Sequence, residues 1–178
     1  MRKSAGVWAF CATLGVASVV WAGPQRAPFD EPHSLMQTQT TWIQDQASRS
    51  GADWANADLT YANLDGADLR YADLRGALLM HASLVGADLT GARLNGAQLN
   101  YADLRGASLF KTNLRDASLV AADLRFVVFA STKLTGADLA LADLRSSDLS
   151  QMQWNSRTGF EGALFDPETI FPAKFEAL

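Results

Sequence analysis

The chain is short of the residues that most catalytic and metal-binding chemistry needs. Among its 178 residues there is one cysteine, Cys11, and there are two histidines, His33 and His81. A single cysteine excludes an intrachain disulfide framework. Two histidines far apart and no cysteine cluster leave no set of ligands for a transition metal, so no metal or other cofactor is expected. Glutamate is missing from residues 52–151, and no glycine-rich phosphate loop is present. A serine–histidine–aspartate arrangement would have to use His81 with a neighbouring serine, at a position that reads as surface. The chain is therefore read as a non-enzyme. A net charge of −4 also argues against nucleic-acid binding, which calls for a basic surface.

The first residues have the layout of a secretory signal peptide. Arg2 and Lys3 precede an apolar run from Ala5 to about Trp21, and Val20-Trp21-Ala22 places small residues before a cleavage point, with Gly23-Pro24 following. The reading is removal of residues 1–22 and a periplasmic or secreted product without stable membrane insertion. An uncleaved membrane anchor is the alternative, since the apolar run is marginal for a span of about 20 residues. Cys11 lies inside that run without a small residue before it, which excludes a lipoprotein. The mature chain would keep 13 of the 15 Lys and Arg and all 19 acids, a charge of 13 − 19 = −6.

What the chain has in abundance is a repeat. From Ala52-Asp53-Trp54 to Ser147-Asp148-Leu149 one five-residue phase continues without slip, through 20 quintets up to Gln151. The central residue is Leu except at Trp54 and Phe129. The residue two before it is Ala in 16 quintets, and otherwise Thr112, Val127, Thr132 or Ser147. A helix would spiral such leucines around every face, because residues five apart are rotated by about 140°. A flat strand would send successive leucines to opposite faces. One buried leucine row requires the chain to turn once per quintet, and the recurring Gly, Asn, Asp and Ser supply the turns.

These Ala-Asp/Asn-Leu-x-x quintets resemble the pentapeptide-repeat family over residues 52–151. The resemblance implies an all-β fold, a right-handed quadrilateral β-helix with four quintets per coil and with the Ala and Leu positions inward. Five coils would rise about 24 Å at roughly 4.8 Å per layer. Open ends of such a solenoid need covering. Residues 23–51 are read as a linker and N-terminal cap, with Pro24, Pro28 and Pro32 in the linker and Leu35, Met36, Trp42 and Ile43 in a short helix. Trp54 and Trp154 would fill the end layers. Residues 152–178 are read as a C-terminal cap, with Phe160, Leu164, Phe165, Ile170, Phe171 and Phe175 folding over the last coil and a helix beginning at Asp166-Pro167-Glu168.

With four quintets per coil, residues 20 apart stack. One face then carries Arg105, Arg125 and Arg145, each two residues after an aspartate, Asp103, Asp123 or Asp143, which reads as a self-neutralised ladder rather than an anion-binding strip. The face centred on Leu59, Leu79, Leu99, Leu119 and Leu139 has no Lys or Arg, and its only acids are Asp58 and Asp138. Its outward residues Tyr61, Leu78, Met80, His81, Tyr101, Val120 and Leu141 form the candidate interaction face, for a protein partner or for self-association. The other reading is that residues 34–50 fold back over it. Relatives that confer quinolone resistance suggest DNA mimicry toward a topoisomerase. Here the repeats carry 12 acids against 9 bases, which gives only −3 and interrupts any phosphate-like track. An extracytoplasmic scaffold of unknown partner is the expectation.

Overall fold

The computed structural model describes residues 50–173 and Phe175, together with two short strands near the N-terminus. These strands, β1 (Trp8–Phe10) and β2 (Val19–Trp21), pair antiparallel with Ala9 opposite Val20. Residues 23–49, including the cap expected from Leu35, Met36, Trp42 and Ile43, lie outside the described residues. No helix among the described residues is long and apolar enough to cross a membrane.

The repeats form a right-handed quadrilateral β-helix, and each quintet makes one of its sides. The residue before each central position bridges in parallel to the residue 20 further on, as Asp53 does with Asp73 and Asp103 with Asp123. The backbone pattern is uniform. Leu59 N–H donates to Leu78 O at 2.7 Å, Leu78 N–H to Ala57 O at 2.9 Å, and the corner Tyr61 N–H to Met80 O at 2.9 Å. The corner closes when Ala62 N–H donates to Leu59 O at 3.0 Å, in a turn whose third residue has positive φ. The described corners at 51, 66, 76, 86, 91, 96, 106 and 136 meet that demand with glycine.

Both inward positions are sealed. Leu64 to Leu149 along the central rows are at most 1% exposed, and Phe129 is fully buried among them. Trp54 fills the first layer, with its indole N–H buried and without a hydrogen-bond partner among the described residues. Of the four non-alanine residues at the second inward position, all but Val127 use a hydroxyl. Thr112 donates to Leu89 O at 2.7 Å, Thr132 to Leu109 O at 2.6 Å and Ser147 to Leu124 O at 2.7 Å. Each hydroxyl thus adds a bond between neighbouring coils from inside the core.

The C-terminal region departs from expectation. The ladder does not stop at residue 151: Gln153, Gly159, Leu164 and Ile170 bridge to Lys133, Asp138, Asp143 and Asp148, which builds a sixth coil. Its sides are longer by a residue at two places, so the partners lie 20, 21, 21 and 22 residues apart. Asp166-Pro167-Glu168 starts a turn and not a helix: the Asp166 carboxylate accepts from the Thr169 hydroxyl at 2.8 Å, and the Thr169 N–H donates to Asp166 O at 3.1 Å. Leu164 and Ile170 point outward and are about half exposed, at 51% and 54%. Trp154, Phe160, Phe165 and Phe171 take the central positions, and Phe175 folds across them. Its ring lies 5.4, 5.6, 6.3 and 4.9 Å from those four in that order, which closes the end of the core with aromatic contacts.

Candidate functional site

The stacking of residues 20 apart turns each outward position into a column. Tyr61, His81, Tyr101, Ala121 and Leu141 occupy one corner, all with φ between 55° and 60°. The left-handed region costs a side-chain-bearing residue about 1 kcal/mol or more relative to glycine. Over residues 51–151 the other three corners each carry two or three glycines beside side-chain-bearing residues such as Tyr71, Lys111 and Phe126, whereas this corner carries none before Gly162 in the sixth coil. Positive φ is accepted at all five of these levels, and at four of them it carries a large side chain.

The three rings of that corner form a stack. Tyr61 and His81 lie 4.9 Å apart at 6° between planes, and His81 and Tyr101 5.0 Å apart at 7°. The spacing matches the rise of one layer, about 4.8 Å. Tyr61 is 65% exposed, Tyr101 59% and Leu141 61%, so the rings lend the surface area without being covered by the described residues. On the adjoining side Leu78, Met80 and Val120 are half-buried. All seven residues expected from the sequence therefore fall on one side and one corner. Below Tyr101 the side is braced by Asn100, whose amide oxygen accepts from Ser118 Oγ at 2.5 Å and from Val120 N–H at 3.1 Å.

The arginine strip on the next side is paired throughout. Arg105, Arg125 and Arg145 each donate Nε and Nη2 to the aspartate of their own quintet at 2.6–3.0 Å. The same aspartates accept the arginine backbone N–H, at 3.1 Å for Asp103. Arg105 and Arg125 also reach Asp123 and Asp143 of the following coil, at 3.7 and 3.6 Å. The hydrogen bond from Arg105 holds Asp103 below the usual carboxylate range, and Arg145 does the same to Asp143. Each guanidinium is charge-paired within the protein.

A second apolar group was not anticipated. Phe126 is 62% exposed, Val128 49% and Phe110 41%, with Lys111 Nζ 4.9 Å from the Phe110 ring centre. The signal was present in Phe126-Val127-Val128-Phe129, where outward and inward positions are both apolar. The backbone loosens there: Phe126 N–H to Arg145 O is 3.4 Å and Val127 N–H to Leu124 O is 3.3 Å.

The chain matches the family model for pentapeptide repeats in 8 copies, over residues 46–76, 57–96, 72–110, 87–125 and 122–153. No curated protein sequence matches it. Among solved structures it is similar to the pentapeptide repeat protein Rfr23 of the cyanobacterium Cyanothece 51142, with 32% identity, 65% of this chain and 64% of that one covered, and a TM-score of 0.45. The chain thus spans less than two thirds of the length of Rfr23. It is also similar to HetL, a pentapeptide repeat protein involved in heterocyst differentiation regulation in Nostoc sp. strain PCC 7120, with 26% identity, 68% and 73% covered, and a TM-score of 0.38. A third match is QnrB1, a plasmid-mediated fluoroquinolone resistance protein, with 16% identity, 66% and 81% covered, and a TM-score of 0.19.

Proposed function

Because the chain belongs to the pentapeptide-repeat family, we propose that it is a non-catalytic interaction scaffold that works outside the cytoplasm and holds a protein partner on the side and corner carrying Tyr61, Leu78, Met80, His81, Tyr101, Val120 and Leu141. The observation that carries this reading is that this corner has no glycine through the five regular coils. A solenoid that needed only to stand would place glycine at such corners, as its other three corners do repeatedly. Exposed aromatic and aliphatic side chains at four of its five levels, all but Ala121, contribute contact area at a cost to the backbone, which supports the reading of a surface selected for binding. The absence of Lys and Arg from this side leaves little charge to desolvate when it is covered. The extracytoplasmic setting rests on the Arg2-Lys3 segment, the apolar run and Val20-Trp21-Ala22.

DNA mimicry is less well supported. It would need aspartates free to stand in for phosphates, yet Asp68, Asp73, Asp103, Asp123 and Asp143 each hold an arginine at 2.6–2.7 Å.

The experiment compares wild type with Met80→Lys/Tyr101→Glu by light scattering, by capture from an envelope extract and by thermal melting. Association lost with an unchanged melt is the expected result. A lower melt with unchanged association would mean that the protein's own residues 34–50 cover this side, and the proposal would fall.

A further inference from the structure

Ten bases stand among residues 50–173, and five of them are held in the same way. Arg70, Arg75, Arg105, Arg125 and Arg145 each follow the central residue of a quintet, and each donates Nε and Nη2 to the aspartate two positions before it. The other five are Arg93, Lys111, Arg115, Lys133 and Arg157. All of them lie on one side of the solenoid and its two corners, opposite the side that carries the Arg105–Arg145 ladder. We propose that this strip is a second docking surface, separate from the Tyr61 corner, and that it holds an extended acidic segment of a protein partner.

Arg115 shows how the strip arises. It stands where the five paired arginines stand, but its quintet has Asn113 in place of the aspartate. Asn113 keeps the backbone part of the aspartate's task. Its Oδ1 accepts the Arg115 N–H at 3.3 Å, as Asp103 accepts the Arg105 N–H at 3.1 Å. Only the carboxylate is missing. Asn113 bridges to Arg93 on one side and Lys133 on the other, and Lys133 bridges to Gln153, so that column has no acid after Asp73. Arg93 shares Asp73 at 3.5 Å with Arg75, which holds it at 2.6 Å. Arg157 reaches Asp116 at 4.0 Å, with both side chains about two-thirds exposed, at 69% and 68%. Among the described residues no carboxylate lies within ion-pair distance of Lys111, Arg115 or Lys133. The net charge of the chain is −4, so a basic composition does not account for this gathering.

The spacing and the charge select the occupant. Arg93 and Lys133 are two layers apart, about 10 Å, and Arg115 lies one layer from each, about 6.6 Å across the side. An extended segment presents alternate side chains on one face about 6.6 Å apart, so Asp or Glu at alternate positions meets successive bases. A nucleic acid carries charge along its whole length and would meet repulsion from the rest of an acidic protein. A short acidic segment engages the strip alone.

The test uses the full chain and a fluorescent peptide of alternating Glu and Ser, twelve residues long. An alternating Gln and Ser peptide and a thymidine dodecanucleotide are the comparisons. Saturable anisotropy is expected with the acidic peptide at about 50 mM salt, much weakened at about 200 mM, and none with the uncharged peptide. Arg115→Gln/Lys133→Gln should bind about fivefold more weakly and melt as wild type does. Asn113→Asp should lose as much without removing a base, because it gives Arg115 the carboxylate that the other five arginines have. Arg105→Gln/Arg145→Gln changes the net charge equally on the opposite side and should bind within about twofold of wild type. Absence of saturation, equal losses in the two double variants, undiminished binding in Asn113→Asp, or tighter binding of the oligonucleotide would overturn the proposal. Binding seen only after Asp30→Asn/Glu31→Gln would overturn it too, by assigning the strip to the chain's own acids. None of these variants alters the Tyr61 corner, so the two surfaces succeed or fail separately.

Discussion

The buried hydroxyl of Thr132 donates to the backbone carbonyl of Leu109 at 2.6 Å, although the two residues are 23 positions apart in the chain. That carbonyl already accepts the Thr112 N–H at 3.0 Å, so it uses both of its lone pairs inside the core. Replacing Thr132 with Val keeps the shape and buries a methyl group where the hydroxyl was. The expected loss is about 1 kcal/mol, because one acceptor site goes unused while the amide bond remains. Chemical denaturation of T132V beside wild type measures it, and an unchanged midpoint would show that the hydroxyl bond adds nothing.

Inward and outward positions should differ sharply in cost. Leu104 is fully buried and its neighbour Arg105 lies on the surface with Asp103. Leu104→Ala leaves a cavity between layers and is expected to cost about 2–5 kcal/mol. Arg105→Ala should barely move the melt, since an exposed ion pair contributes little and salt screens it. Equal losses would mean that the register of the coils has been assigned wrongly.

Stability and binding should part company at the aromatic corner. Tyr101 sits at a φ of 60°, where glycine is at ease. Tyr101→Gly relieves that strain but loses ring contacts and gives the unfolded chain more freedom, and these effects nearly cancel. The melt should therefore stay within a few degrees of wild type while association falls. A large drop in melting temperature would show that the stacked rings serve the fold first.

Acid should loosen the sixth coil at a definite point. Burial opposes ionisation of Asp166, yet the Ser146 N–H, the hydroxyls of Thr169 and Ser146 and the Thr169 N–H together hold its carboxyl down to about 2, against an ordinary 3.8. A carboxylate whose pKa is lower in the folded state contributes stability that is fully present above pH 3.8 and is lost as pH falls through 2. Asp166→Asn should melt lower than wild type at neutral pH, and the difference should shrink between pH 4 and pH 2, where wild type alone loses this contribution. A difference independent of pH would assign the role of Asp166 to shape rather than charge.

The inward direction of the central leucines in residues 52–151 was legible in the amino-acid sequence, and the resemblance to the pentapeptide repeats implied that the Ala position two before them faces inward as well. A five-residue phase is compatible with neither helix nor flat strand, and it leaves one way to bury one row. That four quintets make a coil came from the resemblance to the pentapeptide repeats, and with that number the columns, the arginine ladder and the seven residues of the candidate face could be placed. The sixth coil was harder to see. Trp154, Phe160, Phe165 and Phe171 follow Met152, Thr158, Ala163 and Thr169 by two residues each, but sides of six residues break the phase on which the reading depended.

Contacts between layers were decided only by the tertiary structure. The acceptors of the Thr and Ser hydroxyls lie 23 to 25 residues back, at a level that no local pattern specifies. The same is true of Phe175, which meets four rings from four sides. Period and turn chemistry act between neighbours along the chain and determine which way a residue faces. Stacking acts across the gap between coils, and it alone determines whether Tyr61, His81 and Tyr101 become a ladder and where that ladder ends.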